Sequence, residues 1–120
     1  MRMKDCIFCT IVSGDKTNLL WENDVAVAFR DINPKAPVHV LVVAKQHIDR
    51  LNDLKDETLA GKLMMAATEV ARAVGIEQAY RFHINNGRAA GQEVDHLHIH
   101  LLGNMPDRVM DIEKLHESGL

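Results

Sequence analysis

Residues 96–102 read HLHIHLL, with polar and apolar residues alternating at a period of two. That period is the mark of a β-strand, whose successive side chains point to opposite faces. His96, His98 and His100 therefore share one face, while Leu97, Ile99 and Leu101 turn to the other, towards a core. The spacing predicts a strand over Leu97–Leu102.

Upstream, Arg81–Asn85 reads as another strand, joined to the histidine strand by the loop NGRAAGQEVD with glycines at 87 and 91. Apolar residues at Leu59, Leu63, Ala67, Val70 and Val74 recur at the spacing of one helical face. They predict a long helix from about Asp56 to Val74, with Gly75 as a left-handed C-terminal cap. VHVLVVA at 38–44 is rich in β-branched residues and too short for a typical helix. It reads as a central strand, and His39 inside it needs a partner. NPKAP at 33–37 is a loop. Leu19–Glu22 and Val25–Arg30 form a hairpin turning at Asn23 and Asp24, with Val25, Val27 and Phe29 alternating as a half-buried strand requires. CIFCTIV at 6–12 makes a short helix ended by Ser13 and Gly14, and another short helix starts at Asp111. The sum is an α+β domain: a five-stranded, mainly antiparallel sheet with one long helix and a short N-terminal one.

A chain of 120 residues suits a single domain over 1–120, small enough that a second copy would bury useful surface. Its 14 basic and 17 acidic residues are mixed in order and the formal charge is −3. That argues against long nucleic acid or an anionic membrane as partner, and leaves a small anionic ligand open. No apolar run approaches the roughly 18 residues of a membrane span. MRMKDCIFCT has charges where a secretory leader needs an apolar core, so the expected location is the cytoplasm. The 2 cysteines, Cys6 and Cys9, are too few and too close together for a disulfide framework, whereas 7 histidines is a high count.

Three readings of the histidine strand compete. The rings are solvated polar residues; or they ligate a catalytic zinc, which alternate strand histidines can reach together; or a neutral imidazole attacks phosphorus while a second donates a proton or clamps the phosphate. A strand rise of about 3.3 Å per residue sets alternate histidine Cα atoms roughly 6.6 Å apart, a spacing suited to a phosphate-sized group. The glycines at 87 and 91 favour the third reading, because they let backbone N–H groups turn towards an anion beside the strand. Asn85 is either a phosphate-positioning amide or a loop cap, and Asp31 alone reads as a turn former before Asn33 and Pro34.

HLHIHLL resembles the signature of the histidine-triad superfamily. CIFC at 6–9, FRDINPKAPVHVLVVAKQH at 29–47, NNG at 85–87 and GQEV at 91–94 further resemble its Hint branch of nucleoside phosphoramidases. The likeness covers about residues 5–104 and leaves 105–120 as a variable tail. It implies that His98 is the nucleophile on the α-phosphate of a purine nucleotide, releasing a monophosphate such as AMP. His100 would contact phosphate and leaving group, with His96 and His39 in support. Phe29, Asp31 and Ile32 would hold the nucleoside, Asp31 accepting from both ribose hydroxyls. Asn85 and the backbone of Gly91, Gln92, Glu93 and Val94 would hold the phosphate alongside His98 and His100.

The same likeness implies a structural Zn2+ on Cys6, Cys9, His47 and His96, no organic cofactor, and a homodimer whose sheets join. Two buried thiols or a redox pair are the other readings of the cysteines. Asp95 departs from an aromatic residue common in the branch and is expected to alter histidine protonation or the site's electrostatics. His83 departs from an apolar one, and His116 reads as a surface residue of the tail. Dinucleoside polyphosphate hydrolysis, nucleotidyl transfer, and a binding or scaffolding dimer with little turnover are the alternative functions. Asn85 argues against the first, and His100 against the second.

Overall fold

The computed structural model describes residues 6–104. Its elements are α1 (Ile7–Ser13), β1 (Trp21–Glu22), β2 (Ala26–Arg30), β3 (Val38–Ala44), α2 (Glu57–Ala73), β4 (Tyr80–His83) and β5 (His98–Gly103), with single 3-10 turns at Leu51–Asp53 and Arg88–Ala90. The strands form one antiparallel sheet of 5, in the order β1-β2-β3-β5-β4. The expected α+β architecture, central β3 and single long helix are all present. The tail at 105–120, with the helix from Asp111 and with His116, lies outside the described residues. No helix among the described residues is long and apolar enough to cross a membrane.

Asp56 caps α2, its carboxylate accepting from the N–H groups of Thr58 and Leu59 at 3.0 and 3.2 Å. At the other end Gly75 takes φ +80°, its N–H bonds to the Arg72 carbonyl, and the Ile76 N–H bonds to that of Ala71. This is a Schellman closure, which needs the left-handed residue that glycine provides. Helix α2 lays Leu63, Ala66, Ala67, Val70 and Ala71 on one face of the sheet, against Ala26, Ala28, Val40, Val42, Ala44, Ile99 and Leu101. Alanines on both sides of that contact let helix and sheet approach closely.

The opposite face is also covered, by α1, whose Cys6 and Phe8 pack on Val27, Leu41 and Val43. This corrects the half-buried expectation for β2: Ala26, Val27 and Ala28 are all fully buried, because a helix lies on each side. Three strand limits shift as well. The Leu19 N–H returns to the Lys16 carbonyl, shortening β1 to Trp21–Glu22. Leu97 donates to the Ile48 carbonyl at 2.6 Å, so β5 begins at His98 and runs to Gly103. Pairing of Tyr80 with Gly103 and His83 with His100 sets β4 at Tyr80–His83 and leaves Asn85 in the loop.

Gly103 is a packing necessity. A Cβ there would meet Ile76 Cγ2, Cβ and Cδ1 at 2.5, 2.7 and 2.9 Å, and Ile76 is itself buried. Gly103→Ala is expected to cost about 1–3 kcal/mol in urea denaturation. An unchanged midpoint would contradict this packing.

Candidate active site

His98 opens β5 and is 7% exposed, its ring perpendicular to that of Phe8 with centroids 5.1 Å apart. Its Nδ1 lies 2.7 Å from the His96 carbonyl oxygen. A carbonyl only accepts, so Nδ1 carries the hydrogen and Nε2 keeps a free lone pair. A second chain of bonds fixes His100. The Lys35 N–H donates to His39 Nδ1 at 3.0 Å, which places the His39 hydrogen on Nε2. That nitrogen faces His100 Nδ1 at 2.9 Å and the Asp31 carboxylate at 3.3 Å. His100 Nδ1 then accepts, and its hydrogen sits on Nε2. The adjacent rings, 5.1 Å apart, thus hold opposite tautomers, one presenting a lone pair and the other an N–H. This is the partner that His39 required inside its strand.

Burial, as the largest cause, lowers the proton affinity of every histidine in this group. His39, His83, His96 and His98 all lie below the ordinary imidazole value. His100 falls furthest, to about 4, through burial and then the neighbouring charges His98, His83 and His39 would carry. Neutral rings at neutral pH suit a nucleophile and a neutral donor.

Around this pair, Asp31 accepts from the Asn33 N–H at 2.9 Å, the turn that its sequence suggests, while its other oxygen reaches His39. Phe29 is partly buried against Phe8, ring centroids 5.5 Å apart, and Ile32 is 90% exposed. Gly87 and Gly91 both take positive φ, as the loop requires. The loop differs from the expected phosphate cradle, however. The N–H groups of Gly91 and Gln92 bond to the Arg88 and Gly87 carbonyls. The buried Gln92 side chain accepts from the Gly87 N–H and donates to the Asp49 and Val94 carbonyls. Gly91 and Gln92 therefore build the loop, which leaves Glu93 and Val94 as its candidate backbone donors. Asn85 donates to the Gly91 carbonyl at 3.5 Å, the capping role. Asp95 pairs with Arg88 at 2.7 Å, while Asp31 and Glu93 are the carboxylates that raise the proton affinity of His98 against its burial.

Behind the triad, donor atoms of Cys6, Cys9, His47 and His96 all lie within 4.8 Å of one another. His96 Nδ1 is 3.3 Å from Cys6 Sγ and 3.5 Å from Cys9 Sγ, and His47 Nδ1 is 3.1 Å from Cys9 Sγ. Their other nitrogens donate outward, His96 Nε2 to the Ala44 carbonyl and His47 Nε2 to Asp49, both at 2.6 Å. Both rings therefore turn lone pairs inward, towards two sulfurs. A tetrahedral zinc with bonds of about 2.0–2.3 Å needs ligands spaced like these, and carbonyl or carboxylate partners behind the imidazoles suit it further. Burial, then Cys6, raises the Cys9 thiol to about 11; a divalent cation reverses that preference by taking the thiolate. Asp49 was missed in the sequence, although its place two residues after His47 is a usable signal. Phe8 was missed because it reads only as part of a helix.

His100 takes up its proton at about 4 when folded, against 6.5 when free. Between those values the unfolded chain holds more protons, so stability is complete above 6.5 and is lost as pH falls through the window. Thermal melting should be level just above neutrality and decline towards pH 4, less steeply in His100→Gln. Parallel curves for the two proteins would contradict this assignment.

The sequence profile of the HIT domain family matches residues 13–107. Protein HitA of Neisseria gonorrhoeae is 41% identical over 104 residues, covering 84% of this chain and 97% of that protein. A solved HIT family hydrolase from Legionella pneumophila superposes with a TM-score of 0.77 at 38% identity, covering 83% of this chain and 93% of that one. A Zn-bound histidine triad family protein from Mycobacterium smegmatis gives 0.72 at 32% identity, covering 89% and 80%. Carrying the HLHIHLL strand in this sheet, the chain belongs to the histidine-triad (HIT) family.

Proposed function

We propose that the protein hydrolyses purine nucleotides at the α-phosphate, converting a nucleoside 5′-phosphoramidate or an adenylate to the monophosphate through a nucleotidyl-His98 intermediate. The observation that carries this reading is the pair of opposite tautomers, with His98 Nε2 free to attack and His100 Nε2–H beside it. His98 forms the bond to phosphorus as the bond to the leaving group breaks, and the leaving group departs with a proton passed through His100. Water then attacks the phosphorus, returns a proton by the same route and frees His98. Splitting one displacement into two lowers each barrier.

Phe29 and Ile32 supply the apolar wall for the base, and the exposure of Ile32 leaves that wall accessible. Asp31 is the ribose acceptor, its second oxygen lying near His39. Asn85, Glu93 and Val94 flank the phosphate. The similarity to a HIT family hydrolase supports turnover over a purely scaffolding role. Replacement of His98 by Ala should lower phosphoramidate turnover by at least about a thousandfold with nucleotide binding retained. Wild-type turnover in that variant would end the proposal, and faster hydrolysis of a diadenosine polyphosphate than of the phosphoramidate would reassign the substrate.

Zinc on Cys6, Cys9, His47 and His96 is the structural part of the reading, supported by the inward lone pairs and by the Zn-bound relative from Mycobacterium smegmatis. When bound it would fasten α1 to the sheet through two thiolates. Purified protein should carry about one zinc per chain, and Cys9→Ser should lose both the metal and several degrees of melting temperature. A metal-free parent with the same melting temperature after zinc addition would refute this part. Pairing of two copies through the edge strand β4, where Phe82 is 36% exposed, would form the homodimer this reading includes, and work on free nucleotides suits the cytoplasm.

A further inference from the structure

His83 has no role in the chemistry above, yet its ring lies flat on that of His100. The centroids are 4.6 Å apart and the planes differ by 14°. The register explains the contact: His100 on β5 pairs with Leu41 on β3 and with His83 on β4, so the three side chains stand in one row on the α1 face of the sheet. Leu41 is buried and closes one flank of His100. β4 is the edge strand, so His83 is the last residue between the other flank and solvent.

What His100 needs from that flank follows from its bonds. Its one hydrogen bond among the described residues, from His39 to Nδ1 at 2.9 Å, fixes a point on the ring and leaves the ring plane free to tilt about it. The His39 ring is inclined at 46° to it and cannot set the plane. Near-parallel stacking does set it, and offset-stacked rings at this separation attract. Among the described residues the His83 nitrogens have no hydrogen-bond partner, so what His83 offers His100 is its face. We propose that His83 is a positioning residue for His100, its ring fixing the plane in which Nδ1 stays on His39 and Nε2–H stays turned to the reacting phosphate. Only the final clause rests on the hydrolase reading. The stack also excludes water from that side of His100, consistent with the low proton affinity of this imidazole, and an edge position filled by a small side chain would not.

The test separates the two readings by using one measurement with no substrate in it. Nitrogen-15 spectra of the imidazoles at neutral pH should show His100 as a single Nε2–H tautomer in the parent and in His83→Phe, which keeps a flat face without nitrogens. In His83→Ala the His100 signals should move towards the averaged positions of two tautomers. His83→Leu, which fills the space without a plane, should resemble Ala and supplies the comparison if Ala does not fold. In phosphoramidate hydrolysis kcat should fall about tenfold in the Ala and Leu variants, with KM nearly unchanged and Phe restoring most of the loss. An unchanged His100 tautomer and kcat in the Ala or Leu variant would overturn the proposal, as would a Phe variant impaired as badly as Ala. A parent that fails to turn over the phosphoramidate would remove the hydrolase reading, while the nitrogen spectra would still decide whether His83 positions His100.

Discussion

The fully buried ring of His96 donates from Nε2 to the Ala44 carbonyl at the end of β3, turns Nδ1 to the sulfurs of Cys6 and Cys9, and lends its backbone carbonyl to His98. Its three commitments join the cysteine cluster, the sheet and the nucleophile within one residue. The tautomer of His98 depends on that carbonyl, and the carbonyl is held because the ring is held. A hydrogen bond in so dry a setting is electrostatically strong, and leaving either partner unsatisfied is correspondingly costly. The histidine triad and the cysteine–histidine cluster are therefore mechanically continuous.

Coverage of both sheet faces follows from the same demand. Imidazoles stay neutral and fixed only where water is scarce, and a five-stranded sheet with one open face would leave the triad wet. Helix α2 buries the apolar side through small residues, and α1 brings Phe8 over His96 and His98 on the other. The short α1 packs on that face through Phe8, Ile11 and Val12 as well as through its cysteines. The cysteines at its start add to that hold, since Cys6 caps the helix and both thiols face the histidines.

The sheet and the long helix were legible because their signals are local: period-two alternation in HLHIHLL, β-branched density in VHVLVVA, the apolar stripe and Gly75 of α2. Burial of β2 on both faces was not, since it depends on where α1 packs, a contact between segments distant in sequence. The histidines could be assigned to one face from spacing alone, but their tautomers could not. Those are set by the Lys35 N–H and the His96 carbonyl, backbone groups that leave no trace in residue identity. Gln92 shows the opposite case. Its place in GQEV suggested an anion cradle, yet its amide is fully occupied in holding the loop to Asp49 and Val94. Asp95 could not be read without knowing that Arg88 lies opposite it.

The central claim is that His98 itself becomes bonded to phosphorus, so that two displacements occur at one centre. The steric course of hydrolysis tests this most directly, using a substrate made chiral at the α-phosphorus with sulfur and oxygen isotopes. Each in-line displacement inverts the centre, so a nucleotidyl-His98 intermediate requires overall retention of configuration. Inversion would mean that water attacks the phosphorus in a single step, with His98 as a base or clamp, and would contradict the account.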